Sequence, residues 1–174
     1  VLQESSPVSS ERPVTPEDKK HIEMLMHYIF KAEAGGCVTI LDQETAVTYA
    51  HGSHSSWKLE DTIQIFSILP ERPAPIMVSV AEIQTERDFI LLKSKTKLCD
   101  QRLKMETPHR NSKYIQIGVS GKDAAPIVYH GVIASDKFDD NKGFYVGTAG
   151  AAPGDSGGGV FCTNWLGIYG ICTA

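Results

Sequence analysis

The sequence predicts an all-β protein that carries a single N-terminal helix. Three observations lead there. Apolar residues recur at helical spacing only within residues 16–32; from residue 37 onward they gather into short β-rich runs; and clusters of Gly, Pro, Asn and Asp separate those runs. At 174 residues the chain is long enough to bury a sizeable core. Its 41% hydrophobic and 22% charged residues are the proportions of an ordinary folded domain.

Residues 1–16 are rich in Ser, Pro and Glu, with Pro7, Pro13 and Pro16, and read as a flexible arm. Thr15-Pro16-Glu17-Asp18 then supplies an N-cap, a proline at the first helical position and early acids. Ile22, Leu25, Met26, Ile29 and Phe30 mark one apolar face of a helix over about 16–32, which Gly35-Gly36 stops. Strands are expected at 37–42, 45–50, 56–58, 62–69, 75–84 and 88–93. A second group is expected at 114–120, 126–135, 143–149, 158–163 and 166–173, with a turn at Asp139-Asp140-Asn141-Lys142-Gly143. The chain thus divides into the arm, a unit over 17–113 and a unit over 114–174, with no internal sequence repeat.

Pro153-Gly154-Asp155-Ser156-Gly157-Gly158-Gly159 is the strongest motif. Glycines on both sides of a serine expose its hydroxyl and let backbone N–H groups approach a bound carbonyl. That suits an attacking serine, with Gly154 and Ser156 as oxyanion donors. Such a serine needs a base and a group to orient the base. Val47-Thr48-Tyr49-Ala50-His51-Gly52 puts a histidine after a β-prone run, and Asp88 opens the apolar Phe89-Ile90-Leu91-Leu92. His54 lies off the strand-to-turn position, Asp61 and Asp100 precede no apolar strand, and Ser112, Ser120 and Ser135 lack the flanking glycines.

In the order His51, Asp88, Ser156, these segments resemble the chymotrypsin-like serine peptidases over residues 35–174. The resemblance implies a double β-barrel with the N-terminal helix in front. It also implies endopeptidase activity through an acyl-enzyme, no cofactor or metal, and a polypeptide substrate. Two departures narrow it. Gly52 stands where secreted animal members carry a cysteine bonded to the preceding strand, so Cys37 lacks that partner, and there is no processed Ile-Val-Gly-Gly end to pair with Asp155. With intervals of only 37 and 68 residues between the three positions, the chain resembles compact proteases of viral polyproteins: the picornavirus main proteases and the serine proteases of arteriviruses, astroviruses and sobemoviruses. That implies polyprotein processing in a host cytoplasm, the alternatives being a pseudoprotease that binds RNA or protein on the same fold and a cellular non-secreted serine peptidase. Five strands are counted in the second barrel where the family has six.

By the same resemblance Thr148, Gly150, Ala151, Tyr169, Gly170, Ile171 and Cys172 line the substrate pocket. No acid stands there to select Arg or Lys, so a neutral side chain is expected, either apolar or glutamine-like, with Thr148 and the Tyr169 hydroxyl available to a polar one. Cys37, Cys99, Cys162 and Cys172 are expected to be free thiols, as fits a reducing compartment. The chain has net charge −4, yet residues 93–113 hold seven bases against two acids. Lys93, Lys95, Lys97, Arg102 and Lys104 are therefore a candidate RNA-binding connector, weighed against a plain solvated link. No apolar run is long enough to span a membrane, and no signal peptide is present in this sequence.

Overall fold

A computed structural model describes residues 16–71, 74–119, 126–137, 144–150 and 152–173. Most of the arm, the turn at 139–143 and Ala151 lie outside the described residues. The first element, α1 (Pro16–Met26), is shorter than the sequence pattern predicts. It closes with tight turns in which His27 N–H donates to Met24 O at 3.2 Å and Tyr28 N–H to Leu25 O at 2.9 Å. Leu25 is buried, with Ile22 and Met26 packed beside the core. Ile29 and Phe30, which continue the helical spacing, instead begin a strand, β1 (Ile29–Ala32). Their β-branched and aromatic side chains suit that state, and pairing on both edges overrides the helical period.

The first barrel closes in the order β1-β2-β3-β6-β5-β4. Its remaining strands are β2 (Cys37–Ile40), β3 (Thr45–Thr48), β4 (Thr62–Ser67), β5 (Ile76–Gln84) and β6 (Phe89–Ser94). Phe30 pairs with both Val38 of β2 and Ser67 of β4, which seals the ring. The expected strand at 56–58 is a turn, and β1 takes its place in the count. Ile29, Val38, Ile40, Ala46, Ile65, Val80, Ile90 and Leu92 fill the interior.

The second sheet runs β10-β9-β8-β11-β12-β7. Its strands are β7 (Lys104–Met105), β8 (Lys113–Val119), β9 (Pro126–Ser135), β10 (Val146–Gly147), β11 (Gly159–Cys162) and β12 (Gly167–Ile171). The sixth strand comes from the connector: Lys104 and Met105 pair in parallel with Gly167 and Ile168. This is no solvated link. Leu98 and Leu103 are buried, and their N–H groups donate to Gln43 O and Leu41 O of the first barrel, each at 2.9 Å. Among the described residues, two six-stranded barrel-like sheets and the helix α1 make up the chymotrypsin-like double barrel.

Candidate active site

Strand register brings the first two side chains together. β3 and β6 are antiparallel with Thr48 opposite Ile90, so the residues just after β3 and just before β6 emerge at the same end. His51 and Asp88 are those residues. Asp88 closes a tight turn from Thr85 with φ +58°, a left-handed conformation that aspartate adopts more readily than most residues. That turn aims its carboxylate at the β3 exit. Oδ1 accepts the Ala50 N–H at 2.8 Å and Oδ2 accepts His51 Nδ1–H at 2.6 Å. Because a carboxylate only accepts, this bond fixes the proton on Nδ1 and leaves the Nε2 lone pair facing outward. Ser156 Oγ lies 3.3 Å from that nitrogen.

The serine comes from the second sheet, and its turn is bound to both halves. Cys37 N–H donates to Ser156 O at 2.8 Å, and the Thr39 hydroxyl donates to Gly157 O at 2.8 Å. From the other side, Gly157 N–H donates to Cys172 O at 2.7 Å and Cys172 N–H to Gly158 O at 2.8 Å. Gly157 has φ +89°, and a Cβ there would collide with the Cys37 carbonyl, so no other residue fits. The amides of Gly154 and Ser156 have no hydrogen-bond partner among the described residues. The Cys37 thiol donates to Gly154 O at 3.4 Å, and burial above all pushes its pKa up to about 12.

Asp155 is fully buried beneath the serine. Its Oδ2 accepts the Tyr129 hydroxyl at 2.7 Å and the Ala152 N–H at 2.8 Å. Oδ1 has no partner among the described residues, and it presses so close to Gly118 that a side chain there has no room. A phenol and a backbone amide thus hold the carboxylate.

A cleft of about 850 Å³ adjoins this site. Leu41, Val47, Phe89 and Leu91 of the first barrel and Val160 and Ile168 of the second contribute to it. Arg87 is the one charged residue in its described lining. Of the expected pocket residues, Tyr169, Gly170, Ile171 and Cys172 line it, whereas Thr148 and Gly150 do not. The Thr148 hydroxyl accepts the Val132 N–H at 3.0 Å, and Gly150 O accepts from Gln116 Nε2 at 3.2 Å. Burial, then contact with the Cys162 thiol, raises the pKa of the Tyr169 phenol.

The basic residues of the connector are partly engaged. Lys93 Nζ donates to Thr45 Oγ1 at 2.9 Å, Lys97 meets Asp100 at 3.1 Å and Lys104 meets Glu106 at 3.6 Å. The four cysteines are free thiols. Sequence reasoning missed Tyr129 and Gly118, whose neighbour Asp155 is distant in sequence, and it set His54 aside without its stacking on Tyr49 and Trp57, which no periodicity marks.

No protein-family model and no curated protein sequence matches this chain. Among solved structures it is similar to the MamO protease domain from Magnetospirillum magneticum in its apo form. The identity is 16%, with 88% of this chain and 87% of that chain covered and a TM-score of 0.67. It is also similar to the inactive form of Rv3671c from M. tuberculosis H37Rv, a serine-to-alanine mutant. Here the identity is 15%, with 97% of this chain and 81% of that chain covered and a TM-score of 0.65.

Proposed function

We propose that this chain is a serine endopeptidase that cleaves through an acyl-enzyme, with Ser156 as nucleophile, His51 as general base and Asp88 as its orienter. One observation carries the reading. The hydrogen-bond chain Asp88 Oδ2, His51 Nδ1, His51 Nε2, Ser156 Oγ is continuous, at 2.6 and 3.3 Å. Beside it the amides of Gly154 and Ser156 have no hydrogen-bond partner among the described residues, and an oxyanion would form there.

In the first step Ser156 Oγ bonds to the scissile carbonyl carbon while its proton passes to His51 Nε2. The carbonyl electron pair moves onto oxygen, stabilised by the amide N–H groups of Gly154 and Ser156. The carbon–nitrogen bond then breaks and the amine leaves with the proton from His51. Water, deprotonated by the same nitrogen, releases the acyl group and restores the serine. Asp88 stays ionised and stabilises the imidazolium.

The apolar cleft supports a preference for substrates with large apolar side chains, over the glutamine-like alternative, since Thr148 lies outside its lining and Arg87 is the one charged residue described there. Processing of a viral polyprotein is the narrower reading that the short loops favour. Both neighbours named above are bacterial, so the substrate class proposed is polypeptide without a stated source.

A fluorophosphonate probe tests the reading, because the serine oxygen must displace fluoride from phosphorus with the same proton transfer to histidine. A single adduct on Ser156, lost in Ser156→Ala and in His51→Ala, is expected. A well-folded native chain that takes no label overturns it.

A further inference from the structure

His54 is 1% exposed, yet it belongs to none of the steps above. Its ring lies between two aromatic rings, Tyr49 at 3.8 Å and 19° and Trp57 at 3.8 Å and 17° between planes. Tyr49 in turn lies 4.7 Å from the ring of His51. Trp57, His54 and Tyr49 therefore form one stack, and the ring of the proposed base meets its end at a 44° tilt.

The nitrogens of His54 are equally committed. Nδ1 lies 3.0 Å from Tyr49 O, within the segment that carries His51, and Nε2 lies 3.1 Å from Gly35 O, in the preceding hairpin. The Tyr49 hydroxyl reaches the same Gly35 carbonyl at 3.0 Å and Ser53 Oγ at 3.2 Å. Burial disfavours charge on His54 and outweighs the two carbonyls, which favour it. Asp88 favours that charge and His51 opposes it. Burial thus lowers the pKa of a ring whose two nitrogens both face carbonyl oxygens.

The base needs such a fastening. β3 ends at Thr48, so His51 stands beyond the last ladder pair, and Gly52 follows with φ +58° and open space around it. The Asp88 carboxylate holds Ala50 N–H and His51 Nδ1, but nothing in that pair fixes the tilt of the imidazole plane.

We infer that His54 is a positioning residue for His51: it ties the base-carrying turn to the hairpin at Gly35 and, through the face of Tyr49, sets the orientation of the His51 ring. The inference rests on the protease reading for its consequence in catalysis, though the clasp is a property of the fold in its own right. A misplaced base costs rate without altering the cleft, because His54 lines no part of it.

Three variants separate this role from bulk stability. His54→Phe keeps the stack and removes both nitrogen contacts; His54→Gln keeps a donor and removes the ring; His54→Gly leaves a slot between Tyr49 and Trp57 that free imidazole fits. In His54→Phe and His54→Gln, under conditions where near-UV circular dichroism shows each to be fully folded, kcat on an apolar peptide ester is expected to fall about ten- to hundredfold with KM unchanged. Added imidazole is expected to restore His54→Gly saturably, and to leave Ser156→Ala inert. A parental kcat in folded His54→Phe overturns the inference. So does a loss that falls on KM instead.

A second readout keeps it testable if the protein has no peptidase activity. Relaxation at the His51 ring carbon Cε1 is expected to show a mobile imidazole in His54→Phe and an ordered one in the parent, whether or not Ser156 reacts. An unlabelled parent with that difference intact sinks the protease reading alone. Identical ring order in the two proteins sinks the clasp.

Discussion

Tyr129→Phe removes one oxygen atom and leaves the phenyl ring in place. That oxygen is one of two donors to the buried Asp155 carboxylate, at 2.7 Å; the other is the Ala152 N–H at 2.8 Å, and both meet Oδ2. Oδ1 has no partner among the described residues, so the variant leaves a fully buried carboxylate with a single donor there. A hydrogen bond to a charged group contributes about 1.5–3 kcal/mol, and an ionised group stranded by removal of its partner sits at the upper end of that range. Folding stability is therefore expected to drop by about 2–3 kcal/mol, measured as the shift in urea midpoint at constant slope. The same substitution in an Asp155→Asn background is expected to cost only about 0.5–1.5 kcal/mol, the value of a neutral bond, so the cycle reports a coupling between the two side chains. Since Asp155 immediately precedes Ser156, fluorophosphonate labelling should slow as well. A Tyr129→Phe protein as stable as its parent, or an equal cost in both backgrounds, refutes the reasoning.

Gly157→Ala is expected to cost at least about 1–3 kcal/mol from its left-handed φ alone, with added loss as the new methyl displaces the Cys37 carbonyl, and to abolish labelling of Ser156; urea unfolding and the probe read both. The Cys37 thiol, with a pKa near 12, should resist iodoacetamide at mildly alkaline pH in the native protein and react once urea unfolds it. Modification of Cys37 ahead of the more exposed Cys99 and Cys172 would contradict that order. His54 has a folded pKa depressed first by burial, so the stability it contributes is complete above the ordinary histidine value of about 6.5 and is lost as pH falls toward the lower folded value. Melting temperatures across that acid range should decline less steeply in His54→Phe than in the parent.

The strand and site positions that the sequence reveals are those specified by local chemistry. The Gly-Asp-Ser-Gly-Gly turn is legible because exposed serine geometry demands glycine on either side. The exits of β3 and β6 are legible because His51 and Asp88 border clear apolar runs. Ile29 and Phe30 mislead, because a short strand and the last turn of an amphipathic helix share apolar residues at these spacings, and only barrel closure decides between them. Lys104 and Met105 carry no strand pattern at all; they pair because Gly167 and Ile168 offer an open edge. Tyr129 is invisible for a related reason: its partner Asp155 lies 26 residues away in sequence. His54 stacks on the nearby Tyr49 and Trp57, but no periodicity marks rings that meet within a turn.

The origin of β7 bears on how the molecule comes apart. Leu98 and Leu103 anchor that stretch to the first barrel while Lys104 N–H and Glu106 N–H donate to Leu166 O and Ile168 O of the second sheet, each at 2.9 Å. Ser156 O and Gly157 O are likewise held by Cys37 and Thr39 of β2. Each half thus completes its hydrogen bonding with atoms that the other half supplies. Such a molecule loses both halves in one cooperative transition, with no stable half-folded species, and calorimetric and van't Hoff enthalpies of unfolding should agree. A cut between residues 113 and 114 would take from the second piece both its edge strand β7 and the anchors of the nucleophile turn, Cys37 and Thr39, so that piece would not be expected to fold by itself.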